Sequence, residues 1–491
     1  MHKSGIAHRH WPKFFCFYVV AAFWAATFVG LVQAEGLPIE QYPAIAHVTR
    51  YLTARDLPDR LTNVPISEVL SSTKQKDLKK VTVNPKVRYQ QIEGFGGAFT
   101  DSGGYVLNEL RPEKRDEILR AYFDPSTGLG YTLCRTHINS CDFSVNNYAY
   151  DETPGDTALK DFSIKRDDQN LIPMIKRAQE ISHNGFKLFA SPWSPPAWMK
   201  TNNDMEHGGK LKPEYRQAWA NYYVRYIQEY ARRGIPIWGI TVQNEPASAQ
   251  TWASCLWTGE EECQFVRDYL GPTLGKANLD TKILVWDHNR DLMYNRAQAV
   301  LDDPVAAKYV WGVAFHWYVS DLFDNVQLVH DTWPDKHVML TEGCQEGGPH
   351  TGEWAPAERY GHAMIEDLNH WSVAWTDWNM VLDQQGGPNN VGNFCSAPIV
   401  ADVNTGQITY NPSYYYIGQI AKFVRPGAYR ILSATSSDDL ESVAFANPDG
   451  SIVTIVMNET ETPHRFDLLI NGHAARMDSP ERSIQTVVVN P

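Results

Sequence analysis

Short apolar runs recur through the middle of this 491-residue chain, each followed by a stretch long enough for a helix. They begin near Ile92, Tyr131, Phe186, Ile237, Ile283, Gly312, Val338 and Val373, at intervals of 26 to 55 residues. Each interval accommodates a strand, a helix and loops, the repeat of a closed parallel barrel. Segments 167–182, 213–233, 260–277 and 355–370 carry apolar residues at three- and four-residue spacing, as amphipathic helices do, and a last helix is expected at about 411–423. A doubly wound open sheet is the alternative. Against it, no glycine-rich dinucleotide fingerprint follows a strand and opens a helix. The expected fold class is therefore α/β, a (β/α)8 TIM barrel over residues 91–424.

The flanks pattern differently. Residues 53–89 and 429–489 alternate, with strand-like runs at 442–446, 451–456 and 484–489 and a hairpin turn at Asn447-Pro448-Asp449-Gly450. Flanks 35–90 and 425–491 are expected to fold together as a β-sandwich beside the barrel.

Residues 1–34 read as a signal peptide. Basic residues Lys3, Arg9 and Lys13 precede an apolar stretch, and Val32-Gln33-Ala34 offers a small-residue cleavage site. The stretch is just long enough to span a bilayer, so an uncleaved anchor is the alternative. Either way the body is expected to be exported, secreted or periplasmic. The net charge of −13 lacks the basic footprint that nucleic acid requires. Beyond Cys16 in the leader stand Cys134, Cys141, Cys255, Cys263, Cys344 and Cys395, with no zinc-like spacing. Cys134 and Cys141, seven apart, would face opposite sides of a strand. Cys255 and Cys263 could meet across a loop. Most are read as free, buried thiols.

Glu245 and Glu342 each lie at the end of one of the apolar runs. Two carboxylates at one end of a parallel sheet suit glycoside cleavage, in which one protonates the leaving oxygen and the other meets an oxocarbenium-like centre. Lone strand-end acids often cap the next helix instead. Here the other strand ends supply a matching inventory: Arg135, Asp142 and Phe143; Trp193; Asn244; Asp287 and Asn289; His316 and Tyr318; Asp377, Trp378 and Asn379. Each hydroxyl of a sugar needs a polar partner once water is excluded, and aromatic plates suit its apolar face. The chain's 16 Trp and 24 Tyr fit that use, though many such rings serve as core.

The chain resembles glycoside hydrolase family 30, and within it the glucocerebrosidase type. Carrying the resemblance are Gly94-Phe95-Gly96-Gly97-Ala98-Phe99-Thr100-Asp101, Ser140-Cys141-Asp142-Phe143-Ser144, Ala190-Ser191-Pro192-Trp193 and Gln243-Asn244-Glu245-Pro246. His316-Trp317-Tyr318, Glu342-Gly343-Cys344, Trp375-Thr376-Asp377-Trp378-Asn379, Gly386-Gly387-Pro388-Asn389 and Asn393-Phe394 continue it, in order from about 80 to 489. It implies a retaining β-glycosidase with Glu245 as general acid/base and Glu342 as nucleophile. Asp142, Phe143, Trp193, Asn244, Tyr318, Trp378 and Asn393 would hold the sugar. Arg135, His316, Asn289 and Cys344 would support the two glutamates, with Tyr318 orienting them as well. The chain departs from that type in lacking a Cys-rich N-terminal segment, in Cys395, and in loops 204–210 and 345–354, which bear on aglycone preference. Neither metal nor organic cofactor is expected. The substrate reading is glucosylceramide, with a β-1,6-glucan or another β-glycoside as alternative and possible contact with lipid surfaces; oligomeric state is left open. A carbohydrate-binding protein without catalysis is the reading from another class, and the two intact glutamates count against it. Asn458-Glu459-Thr460 is a glycosylation sequon.

Overall fold

The computed structural model describes residues 45–66 and 78–491, so the expected signal peptide lies outside the described residues. Eight parallel strands close into a barrel: β1 (Gly94–Phe99), β2 (Leu133–Ile138), β3 (Lys187–Pro192), β4 (Gly239–Thr241), β5 (Lys282–Asn289), β6 (Val310–His316), β7 (His337–Glu342) and β8 (Ser372–Asn379). Each begins within two residues of the expected position. Between β1 and β2 the chain is tight: a side chain on Gly96 would stand 1.8 Å from the Leu133 carbonyl, so glycine there lets the barrel close.

Side chains two apart on a strand share a face, which layers the lumen. Leu133, Phe189, Leu284, Ala314 and Met339 form an apolar layer with Val373 and Ala374. One step nearer the strands' C-terminal ends, the layer turns polar with buried Arg135, Ser191, Thr241, His316 and Thr341. On β5 the step is three residues, because a register irregularity against β6 falls between Trp286 and His288. Trp286 and Asp287 take left-handed backbone there, φ 74° and 59°. The buried Glu262 carboxylate accepts the Trp286 N–H at 2.9 Å and holds the bulge.

Helices follow the strands as expected, with one break. The 260–277 segment divides into Gly259–Phe265, a π-helical turn Val266–Leu270 and Gly271–Lys276. Pro272 has no N–H for the preceding turn, and that lost bond matches the widened turn just before it. The last helix runs Pro412–Ala421 with proline in its first turn.

The flanks form one continuous sheet of nine strands that curls around its own core, including Val81, Val83, Ile431, Val456, Phe466, Leu468 and Val487. Val48–Ala54, Thr62–Val64 and Lys79–Gln91 come from the N-terminal flank, and the C-terminal flank supplies six strands from Tyr429–Thr435 to Ser483–Val489. The sequon is not available for modification in this fold. Asn458 is 0% exposed, and its amide donates to Pro480 O at 2.8 Å and Thr462 O at 3.0 Å.

A small sheet of Val381–Asp383, Ile399–Ala401 and Ile408–Tyr410 was not expected. It anchors a loop, 384–398, that reaches over the barrel mouth. Among the described residues no helix is long and apolar enough to cross a membrane.

Candidate active site

One cavity of about 240 Å³ opens at the C-terminal end of the barrel. Eleven of the thirteen expected site residues line it: Asp142, Phe143, Trp193, Asn244, Glu245, Asn289, Tyr318, Glu342, Cys344, Trp378 and Asn393. The other two, Arg135 and His316, lie fully buried in the polar layer beneath it.

That layer is organised by Asp287, which the strand-end inventory contained without a role. Its Oδ2 accepts Arg135 Nη2 at 2.9 Å, Ser191 Oγ at 2.8 Å and Thr241 Oγ1 at 2.6 Å. Oδ1 accepts Thr341 Oγ1 at 2.6 Å and lies 3.1 Å from His316 Nε2. Burial alone would raise the Asp287 pKa, but Arg135, His316 and the Thr241 hydroxyl hold it far below the ordinary carboxylate range. A permanent anion at the barrel axis thus fixes one cation and one imidazole.

Arg135 passes that order upward. Its Nη1 donates to Glu342 Oε2, Nη2 also donates to Asn244 Oδ1 at 2.8 Å, and Nε donates to Ser191 at 3.1 Å. Its plane lies over Trp193 and Trp378, 4.8 and 5.4 Å from the ring centres, and those indoles stack at 5.1 Å. The other oxygen of Glu342 accepts Tyr318 OH at 2.8 Å, and Tyr318 is itself placed by its N–H donating to Asn289 Oδ1 at 2.9 Å. Both lone-pair faces of Glu342 are thereby oriented.

Glu245 is held differently. Its backbone is left-handed, φ 48°, and its N–H donates to the Asp287 carbonyl at 3.0 Å. Around its carboxylate stand His316 Nδ1 at 3.5 Å, Gln250 Nε2 at 3.5 Å and His288 Nε2 at 3.9 Å. Glu245 and Glu342 present oxygens within 4.8 Å of each other and of His316. That approach falls on the side of the ~5–5.5 Å carboxyl spacing of retaining glycosidases, not of the ~6.5–9.5 Å inverting arrangement.

Burial raises both carboxyls. At Glu245 a hydrogen bond from His316 and the charges of His288 and His316 outweigh it, and its pKa falls below the ordinary value. At Glu342 burial prevails, aided by the Glu245 charge and opposed by His316, Arg135 and Tyr318, so its pKa lies above. Burial works against a charged His316, yet Glu342, Asp287 and Glu245 carry its pKa up to about 9. At neutral pH an imidazolium therefore stands between two carboxyls that exchange protons as one unit. At the far end, burial and the Glu342 charge push Asp142 up to about 7, against hydrogen bonds from Asn393 and Asn389 at 3.3 and 3.2 Å.

Glu245, His316 and Glu342 also have the mutual spacing that a divalent ion needs. The donor set does not suit one. Arg135 already occupies Glu342, and its fixed guanidinium charge would repel a cation.

The six cysteines of the body are all free and buried. Cys255 and Cys263 do not bridge, because they face different surroundings, Lys200 and Trp257 for one and Asp303 for the other. Besides Asp287, the sequence reading missed Ser248, Gln250, Trp252, His288 and Glu346 in the cavity wall. All come from loops or from the β5 bulge, where alternation carries no signal.

The sequence profile described as the glycosyl hydrolase family 30 TIM-barrel domain matches residues 92–424, and the family's beta sandwich domain matches 427–487. The chain is 37% identical to the lysosomal acid glucosylceramidase of Mus musculus over 398 residues, 77% of each protein. It is 31% identical to an endo-1,6-beta-D-glucanase of Neurospora crassa, covering 88% of this chain and 90% of that one. Among solved structures, SrfJ from Salmonella typhimurium superposes with a TM-score of 0.85 at 37% identity, covering 90% of this chain and all of that one.

Proposed function

The chain belongs to glycoside hydrolase family 30 and is a retaining β-glycosidase, and from that premise we propose that it releases glucose from a β-glucosyl lipid, glucosylceramide. Glu342, oriented by Arg135 and Tyr318, attacks the anomeric carbon. In the productive state the proton of the pair sits on Glu245, the reverse of the order without substrate, and the glycosidic bond breaks as Glu245 gives it to the departing oxygen. Glu245 then takes a proton from water, which hydrolyses the glycosyl ester and restores Glu342. The His316 imidazolium between them offsets negative charge as the proton moves. Asn244 Oδ1 is occupied by Arg135, so its Nδ2 is left to donate to the sugar 2-hydroxyl. Trp193 and Trp378 support the ring face, and Asp142 with Asn393 binds hydroxyls at the closed end.

The observation that carries the lipid reading is a small cavity whose lining residues have exposed apolar neighbours in the chain. At about 240 Å³ it lies below the ~300–1,000 Å³ of common ligand pockets, which suits one sugar ring. Val319 and Leu322, beyond Tyr318, are 57% and 47% exposed, and Phe394, between Asn393 and Cys395, is 37% exposed. Exposed apolar side chains on the segments that supply Tyr318 and Asn393 suit an acyl-chain aglycone and contact with a lipid surface. Export through residues 1–34 belongs to the same proposal.

The second reading is a β-1,6-glucan. Trp252, Gln250 and Glu346 line the mouth with a stacking surface and polar groups that a second sugar would use. Aryl β-glycosides, glucosylceramide in detergent and a β-1,6-glucan, assayed side by side, separate the two. Preferred release of glucose from glucosylceramide supports the first, and faster cleavage of the glucan replaces it with the second. Glu342→Gln should abolish turnover of every substrate, and near-normal turnover in that variant would overturn the assignment of roles.

A further inference from the structure

The cavity wall holds a feature that hydrolysis does not use. Cys344 follows β7 two residues after Glu342, and Cys395 lies on the 384–398 loop two residues after Asn393. Both thiols belong to one buried cluster with Tyr318; Tyr318 OH lies 3.6 Å from Cys344 Sγ, and Cys395 Sγ donates to Asn393 O at 3.8 Å. The backbones around them are joined by a bridge between Glu346 and Cys395 and by Ser396 N–H donating to Gln345 O at 2.8 Å. Both line the catalytic cavity, so a small solute reaches them by the substrate's route. Among the described residues, the other four cysteines lie outside that lining.

We propose that Cys344 and Cys395 are a reversible oxidation site that closes to a disulfide and switches hydrolysis off. With hydrogen peroxide as the two-electron oxidant, one thiol sulfur attacks a peroxide oxygen. The O–O bond breaks, water leaves and a sulfenic acid forms. The second sulfur displaces the hydroxyl from the first, which departs with the second thiol's proton as water. Two thiols and one peroxide thus give one disulfide and two waters.

The coupling to catalysis runs through Tyr318. Its hydroxyl donates to Glu342 at 2.8 Å and stands 3.6 Å from Cys344 Sγ. A disulfide needs sulfurs ~2.05 Å apart, far inside non-bonded contact. Closing it draws the segment bearing Glu342 toward the loop bearing Asn393, and a shift of ~1 Å at a reacting centre costs about a hundredfold in rate. The contact with Cys395, burial and the Glu342 charge hold the Cys344 thiol well above its ordinary pKa. Oxidation should therefore quicken in alkaline solution.

The test uses the full chain, reduced, then treated with hydrogen peroxide at neutral and alkaline pH. Peptide mapping without reductant should recover Cys344 and Cys395 in one linked peptide. Aryl β-glucoside turnover should fall at least tenfold and return with dithiothreitol. In Cys395→Ser and in Cys395→Ala, whatever their starting activity, the ratio of treated to untreated turnover should stay near one. Free Cys344 and Cys395 after treatment overturn the proposal, as does an activity loss that these variants share.

Discussion

Arg135 and Asp287 form an ion pair with neither side chain exposed, Nη2 to Oδ2 at 2.9 Å. Arg135 also holds Glu342 and Asn244, and Asp287 also holds His316, so the pair sets the position of both carboxylates. Asp287→Asn keeps the shape and removes the charge. Leaving the buried guanidinium with Glu342 as its one carboxylate partner should cost up to roughly 3–5 kcal/mol of stability. Displacing Glu342 and His316 should lower kcat/KM by about a hundredfold or more. Urea unfolding and aryl β-glucoside kinetics check both; a variant with normal kcat/KM would show that the hub is dispensable.

His316 supplies the site's titratable cation. With its pKa raised to about 9, the imidazolium is complete at neutral pH and disappears as pH rises through that value. The pH profile of kcat/KM reports groups of the free enzyme. An alkaline limb near pH 9 is expected, and His316→Asn should show low activity with that limb gone. An unchanged limb would assign it elsewhere.

The barrel was legible because burying eight strands under helices imposes a long-range repeat that survives loops of any composition. The glutamates were legible because strand order places both at one end. Asp287 had no legible role, since the bulge at Trp286 puts it, three residues after Leu284, in the lumen, where period-two alternation would place Trp286. The small sheet that carries the 384–398 loop uses strands of only three residues, too short to show a period. Asn393 was reached by resemblance, not by pattern. Asn458 misled because a tripeptide motif says nothing of burial.

Asp377 lies directly behind the site, with Oδ1 accepting Tyr360 OH at 2.6 Å and Oδ2 buried without a partner. Burial raises its pKa to about 8, against the hydrogen bond from Tyr360. The unfolded chain would ionise it near ~3.9. A carboxyl whose folded pKa is raised contributes fully below the unfolded value and loses that contribution as pH rises through the folded one. Wild-type stability should thus decline from about pH 4 to pH 8. Asp377→Asn stays neutral throughout, so its decline should be smaller by a few kcal/mol, at ~1.36 kcal/mol for each pH step between the unfolded and folded pKa values. Urea midpoints at pH 5 and pH 9 measure the difference; equal declines would mean that Asp377 is already ionised in the fold.

Asn244 offers the sharpest test of how the sugar is held. Its carbonyl is fixed by Arg135 at 2.8 Å and its N–H to Pro192 O at 2.9 Å, so the side-chain amide is aimed before substrate arrives. A donor to the sugar 2-hydroxyl strengthens as charge develops at the neighbouring carbon, so it acts on kcat more than on KM. Asn244→Ala should lower kcat/KM for an aryl β-glucoside by about a hundredfold, in the range of losing one preorganised donor. With the 2-deoxyglucoside, wild type should already be slow and the substitution should cost little more. Enzyme and substrate changes then fail to add, which is the signature of a direct contact. If the two losses multiply, Asn244 acts through Arg135 and Glu342 and does not touch the sugar.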